Sequence, residues 1–320
     1  MTDSATVVAQ RPLGASGLMV STVGIGCNAF SRRVDAAGVA SILDAAGELG
    51  VTLLDTADTY GAEPGGSEAL LGEALAGRRD DFVVATKFGM DMRGAYGDDH
   101  GVRGSRRYVR RAVEGSLSRL RTDHIDLYQL HAPDPVTPIE ETLSVLDDLV
   151  HEGKVRYVGC SNFAAWQIVH AAWTARAAGL TPFVSVQNRY SLLDRSVEAE
   201  VVPAAEEFGL GLLPFFPLER GLLTGKYARG AEPPTGSRAA AEPDRSSWLA
   251  EADWERVEGL TAYAAARDLS ILDVAIAGLA AQPAVASVIS GVTSADQLRR
   301  NVAALRWEPS SEDLAELAEL

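Results

Sequence analysis

Four side chains able to hold or move a proton stand at the ends of successive β-branched runs: Asp55 and Tyr60 in LLDTADTYG, Lys87 in VVATKFG and His131 in DLYQLH. Such a set answers a specific chemical need, because hydride addition to a carbonyl leaves an alkoxide that must be protonated. A phenol with an ordinary pKa of about 10 is a poor acid at neutral pH unless a cation favours its phenolate. Lys87 is expected to be that cation, Asp55 to pair with it, and His131 to donate a hydrogen bond that orients the carbonyl. Each residue also has a plainer reading. A strand-end aspartate is often a helix cap, a lysine a solvated charge, and a single histidine a packed or hydrogen-bonded side chain.

The elements that must position these groups are short β-branched runs, each followed by an Ala- and Leu-rich stretch of helical spacing, the pattern of a parallel sheet with crossover helices. Eight strands are expected, at Thr22 to Gly26, Thr52 to Asp55, Phe82 to Thr86, Ile125 to Leu130, Val155 to Cys160, Phe183 to Gln187, Gly211 to Phe215 and Ala286 to Ser290. Eight alternating units fit a closed (β/α)8 TIM barrel better than an open doubly wound sheet, and in such a barrel the strand ends gather into one mouth. Capping boxes are expected at Thr137, Pro138 and Glu140, and at Ser294 with Gln297. Arg11 to Ser21 reads as a hairpin turning at Ser16 and Gly17 that closes the barrel bottom, and Arg229 to Ser247 as a mobile lid. No linker divides the chain, so residues 1–320 are expected to form a single barrel domain.

Hydrophobic residues at 47% and charged residues at 23% describe a packed body rather than a disordered chain. A formal net charge of −15 disfavours nucleic acid, so any anionic ligand must be held by local donors. Cys27 and Cys160 form no CxxC pattern, which points away from disulfides and zinc. The start MTDSATVVAQRPLG lacks the features of a leader and no apolar run is of spanning length, so no membrane association and a cytoplasmic location are expected. Asp55, Asp58 and His131 could suggest a metal hydrolase, but His100, His124, His151 and His170 sit in loop or helix contexts, and no metal is expected. Gly24, Gly26 and Ala29 (GIGCNA) match a dinucleotide fingerprint only in outline, with Asp44 inside a helix pattern where the partner acid should end a strand.

The segments LLDTADTYG, VVATKFG, DLYQLH, VRYVGCSNF, VSVQNRYS and GLLTGKY, in this order, resemble the successive signatures of aldo-keto reductases. The resemblance implies the tetrad Asp55, Tyr60, Lys87 and His131, with Tyr60 as general acid in reduction of an aldehyde or ketone, and a nicotinamide cofactor. It further implies that Ser161, Asn162 and Gln187 hold the carboxamide and that Phe215 stacks on the nicotinamide, with Phe216 and Pro217 beside it and Gly26 and Asp55 nearby. Leu218, Gly221, Leu223 and Lys226 would surround the diphosphate. Gly291, Thr293, Ser294, Gln297 and Asn301 would hold the adenosine end at a helix N-terminus.

Gln297 stands where many members of that family carry a basic residue for the 2′-phosphate, and Arg299 or Arg300 would have to replace it; NADPH is expected, with NADH possible. Asn28, Phe30, Phe88, Tyr60 and His131 are the expected substrate contacts, with the loop Met90 to Gly104 adding a mobile, polar wall; Asn28 could equally cap the first helix and Phe30 pack beneath it. Two other functions share the pattern: a cofactor-sensing regulatory protein resembling potassium-channel β subunits, and a reductase of nucleotide-linked deoxysugars.

Overall fold

The computed structural model describes residues 7–241 and 247–320; the first six residues of the start weighed as a leader, and residues 242–246 of the expected lid, lie outside the described residues. An antiparallel hairpin, β1 (Gln10–Pro12) and β2 (Met19–Ser21), precedes the main sheet, with Arg11 opposite Val20. The main sheet has eight parallel strands: β3 (Val23–Gly26), β4 (Leu53–Asp55), β5 (Val83–Phe88), β6 (Ile125–Leu130), β7 (Val155–Ser161), β8 (Ser185–Gln187), β9 (Gly211–Leu212) and β10 (Val288–Gly291). Its order is β10-β3-β4-β5-β6-β7-β8-β9, and bridges from Leu212 to Val285 and from Phe215 to Ile289 bring its two edges together. The fold is therefore a (β/α)8 barrel.

Helices connect the strands: α1 (Ala36–Leu49), α2 (Gly66–Ala74), α3 (Arg106–Leu120), α4 (Ile139–His151), α5 (Ala165–Ala178) and α6 (Val201–Glu207). The last crossover is composite, running through the short α7 (Arg238–Ala241) and α8 (Ser247–Ala250) to α9 (Trp254–Ala265) and α10 (Ile271–Ala280). After β10 come α11 (Ala295–Ala303) and α12 (Ser311–Glu319). Helix α1 shows how the sequence sets such boundaries: Asp35 accepts from the Gly38 amide at 2.9 Å, and Gly50 ends the helix at φ 72°. Its Val39, Ile42, Leu43 and Ala46 recur at helical spacing and are buried against the sheet.

Alternation along the strands sorts side chains into two layers. In β5, Val84 and Phe88 join the large cluster between sheet and helices, whereas Ala85 packs with Leu53, Leu127 and Leu213 inside the barrel. Leu13 and Val20 of the hairpin belong to that interior cluster and close the barrel bottom. The hairpin is anchored by Arg11, whose Nη1 donates to the carbonyls of Ala280 and Val285 at 2.9 and 2.8 Å. Its turn leaves no room for a side chain at Gly14, where a Cβ would lie 2.3 Å from the Gly209 carbonyl oxygen at φ 58°.

Several boundaries differ from the sequence reading. Helix α4 begins at Ile139 with Pro138 as its N-cap and no side-chain cap bond, so the capping box at Thr137 does not form. Asp134 instead fixes the turn ahead of the helix, accepting from the amides of Val136 and Thr137 at 2.8 and 3.1 Å. At α11, Ser294 does accept from the Gln297 amide at 3.3 Å, but the Gln297 side chain reaches one residue further back, to the Thr293 amide at 2.8 Å. The Met90 to Gly104 loop, expected to be mobile, is pinned to α3: Arg111 donates to the Tyr96 carbonyl at 2.8 Å and Tyr108 to the Met90 carbonyl at 2.9 Å.

Candidate active site

Because Asp55, Lys87 and His131 share the inward register of β4, β5 and the end of β6, the barrel delivers all three to one mouth. Lys87 is fully buried, and its Nζ donates to both Asp55 oxygens at 2.8 and 2.7 Å and to the Thr56 carbonyl at 2.9 Å. Two amides complete the carboxylate's surroundings: Gln187 donates to Asp55 Oδ1 at 2.8 Å and Gln129 to the same atom at 3.3 Å. Gln129 was not among the residues expected here. Its signal was in DLYQLH, where a glutamine two residues before His131 must face the same way.

Tyr60 enters from a turn rather than a strand. The turn is fixed on both sides, by the Asp58 amide on the Lys87 carbonyl at 3.1 Å and the Ser67 amide on the Tyr60 carbonyl at 3.0 Å. The phenol oxygen lies 3.5 Å from Lys87 Nζ, and the Tyr60 and His131 rings meet edge to face at 5.7 Å. Burial pushes the Tyr60 phenol up; Lys87 pulls it back and Asp55 raises it again, leaving the net direction upward. Lys87 thus favours the phenolate, as expected, by its charge and its hydrogen bond, but burial outweighs that pull. The ammonium lies closer to the two carboxylate oxygens than to the phenol.

Burial also opposes charge on Lys87, but Asp55 and Tyr60 outweigh it and the amine is held above the ordinary lysine value. His131 responds in the opposite sense: burial, then Lys87, pushes it down to about 3. Its imidazole is neutral at physiological pH, with Nδ1 buried and unpartnered, so Nε2 is the nitrogen available at the mouth. The arrangement combines a protonated phenol, a neutral imidazole and a buried ion pair. It can give up one proton to a strong base formed beside Tyr60.

Around the mouth, Ser161 donates to the Gln187 carbonyl at 2.8 Å, and Asn162 to the His131 carbonyl at 2.9 Å from a left-handed backbone at φ 61°. Phe215 and Phe216 are half-buried, their rings 5.4 Å apart, and Pro217 is buried beside them. Gly26 and Gly291 touch across β3 and β10, a Cβ on Gly26 falling 3.3 Å from the Gly291 amide nitrogen. Lys226 folds over Gly221, whose φ is 101° and whose Cβ, were there one, would stand 2.7 Å from Lys226 Nζ.

Several of the groups expected at the cofactor have partners within the chain. The amides of Gly221 and Leu223 both turn onto the Leu218 carbonyl, at 2.7 and 3.3 Å. Gln297 is engaged with Thr293, Asn301 is buried, and Arg299 is held by Glu48 and Asp296 at 3.2 and 3.3 Å, leaving Arg300 exposed.

Two substrate contacts are corrected. Phe88 faces the helix layer, fully buried and stacked on Tyr128 at 4.6 Å, because it shares the outward register of Val84. Phe30 is likewise fully buried in the cluster between sheet and helices. Asn28 remains half-buried beside Gly291 and does not cap α1, where Asp35 serves. Arg220, not anticipated, lies over the rings of Phe216 and Trp248 at 5.9 and 5.8 Å.

A family model described as "Aldo/keto reductase family" matches residues 22–320. "Probable aldo-keto reductase 1" of Glycine max is 36% identical over 315 residues, spanning 96% of this chain and 87% of the relative. "Uncharacterized oxidoreductase YrpG" of Bacillus subtilis (strain 168) is 35% identical across 96% of this chain and 94% of its own length. "Probable voltage-gated potassium channel subunit beta" of Oryza sativa subsp. japonica is 36% identical across 92% and 90%.

Proposed function

Given that the chain belongs to the aldo/keto reductase family and is an oxidoreductase by that membership, we propose that it reduces an aldehyde or ketone to an alcohol with a reduced nicotinamide nucleotide. The observation that carries this reading is the Tyr60 hydroxyl 3.5 Å from a lysine whose ammonium is held by both oxygens of Asp55.

The residues present fit a dinucleotide. Gly221 leaves a cradle under Lys226 that any side chain would fill, and the half-buried Phe215 offers a ring face at the mouth. Ser161, Asn162 and Gln187 would hold the carboxamide; Phe215 would carry the nicotinamide, with Phe216, Pro217 and Gly26 beside it. Leu218, Gly221, Leu223 and Lys226 would surround the diphosphate. Gly291, Thr293, Ser294, Gln297 and Asn301, at the start of α11, would take the adenosine end. When bound, the nucleotide supplies the hydride. NADPH is the proposed partner and NADH an accepted second, since Gln297 brings no charge and Arg299 is engaged by two carboxylates.

His131 Nε2 orients the carbonyl oxygen by donating a hydrogen bond, a role that a neutral imidazole fills without adding charge. Tyr60 then gives its proton to the oxygen. An alkoxide is a far stronger base than a phenolate, so a phenol held above its ordinary value still transfers its proton downhill. Lys87 steadies the phenolate left behind, and Asp55 fixes Lys87. Asn28 is the remaining candidate for contact with the rest of the substrate.

Tyr60→Phe removes the proton and keeps the ring. Turnover of a panel of aldehydes, ketones and keto-sugars should fall by about 10³-fold or more, while nucleotide binding, read by fluorescence quenching, persists. Retained turnover in that variant would overturn the assignment of Tyr60. Nucleotide binding with no turnover of any carbonyl by the native protein would instead favour a sensing role.

A further inference from the structure

Behind the Tyr60 turn, on the helix side of the sheet, lies a second cluster of buried polar side chains. Asp58 is fully buried there, and neither of its oxygens has a well-formed hydrogen bond among the described residues, although the adjacent Thr59 amide bears on the carboxyl. The hydroxyl of Tyr128, also fully buried, is equally without one. Asp58 follows β4 and Tyr128 lies in β6, near enough for the charge of an ionised Asp58 to bear on the phenol, and an unmet buried donor or acceptor costs about 1–3 kcal/mol. The surroundings identify what is missing. Glu68 of α2 is paired with Arg119 of α3 at 2.7 Å and accepts from Thr86 at 2.6 Å, and Asp55 is paired with Lys87 of β5. Tyr96 accepts from Arg119, and Tyr108 donates to the Met90 carbonyl. Three acids therefore face two bases, and Asp58 is the acid left over.

We propose that Asp58 keeps its carboxyl proton at neutral pH and that, with the Tyr128 hydroxyl, it binds one internal water. A water held by two or more buried polar groups resolves both orphans at once, and a neutral acid supplies the donor that a carboxylate lacks. Charge balance gives the same answer. With Asp58 neutral, Asp55, Glu68, Lys87 and Arg119 sum to zero; with it ionised, a surplus negative charge would be buried two residues from Tyr60. The groups facing Asp58 agree: burial first, then Glu68, pushes its carboxyl well above the ordinary carboxylate range, against the pull of Arg119, the Thr59 amide and Lys87.

Infrared difference spectra between the native protein and Asp58→Asn test this without reference to any reaction. At neutral pH the native protein should show the C=O stretch of a protonated carboxylic acid, absent in Asp58→Asn and shifted in Tyr128→Phe. No such band, or a band indifferent to Tyr128→Phe, would overturn the proposal. A high-resolution crystal structure should show one water within hydrogen-bond distance of both side chains; no water between them, or a bound cation, would count against it.

Because the raised acid is neutral when folded and ionised when unfolded, native stability should fall as pH climbs above the ordinary aspartate value. Asp58→Asn should flatten that slope while turnover stays within about threefold of native. A tenfold loss of turnover would mean that an ionised carboxylate is required.

Discussion

The two sides of the barrel mouth are built on opposite principles. Strands β4 to β6 present Asp55, Lys87 and His131 from regular backbone, and the tension there is electrostatic: a buried ion pair, a neutral histidine, a phenol kept protonated. The loop after β9 has the reverse character. Phe216, Glu219 and Arg220 all adopt left-handed backbone, at φ 56, 42 and 56°, and Gly221 follows at 101°. Each such non-glycine residue costs about 1–2 kcal/mol, and the loop is held by the buried Glu219, which accepts from Arg189 at 2.7 Å and Ser191 at 2.9 Å. The contrast teaches a division of labour. On the proposed function, charge is stored where a proton would move, and backbone strain where the nucleotide would be gripped.

Removing the charge should have the largest effect. Lys87→Met strands the Asp55 carboxylate in the interior; turnover should drop by about 10³-fold or more and stability by about 3–5 kcal/mol, read together by steady-state assay and urea titration. A stable, active Lys87→Met protein would break the comparison outright. On the strained side the loss should fall on binding alone. Gly221→Ala sets a Cβ against Lys226 at a backbone angle that only glycine adopts freely, so the nucleotide Kd should rise about tenfold with kcat nearly unchanged.

The next test is of pH. His131 is neutral when folded, with its pKa pushed down to about 3, and protonates near its ordinary value of about 6.5 when unfolded. Its contribution is therefore complete above about pH 6.5 and is lost as pH falls toward the folded value, by at most about 1.4 kcal/mol per pH unit. Denaturation midpoints between neutral and mildly acidic pH should show this decline, and His131→Asn should weaken it. The smallest effect belongs to a residue on neither side. Phe88→Leu, in the helix-facing layer, should cost about 1–2 kcal/mol of stability and leave every substrate KM where it was; a changed KM would restore Phe88 to the pocket.

The same contrast explains what the sequence made legible. Regular alternation places Asp55, Lys87 and His131 in one register, and the eight strands follow from recurrent β-branched runs, so the barrel and its charged side could be read from residue types alone. Phe88 was misplaced because a phenylalanine beside a key lysine looks like a pocket wall, although adjacent strand residues must face opposite ways. Strand β9 shrinks to Gly211–Leu212, shorter than its apolar run, with Pro214 lacking an amide to donate. The loop beyond was the least legible part. Nothing in PLERGLLTGK announces that Glu219 will be buried against Arg189 and Ser191, or that Arg220 will lie between two aromatic rings, because those partners come from distant segments.

The hairpin that closes the barrel bottom has a consequence for how the chain is made. Arg11 finds its acceptors on Ala280 and Val285, 269 and 274 residues downstream, and Gly14 is fitted against Gly209. A segment made long before the last strands is thus among the last to find its permanent neighbours. During synthesis Leu13 and Val20 have no barrel interior to enter until β9 and β10 have followed. A nascent chain halted before residue 285 should expose this apolar hairpin to whatever guards unfinished proteins, and the closing of its floor marks the barrel's completion.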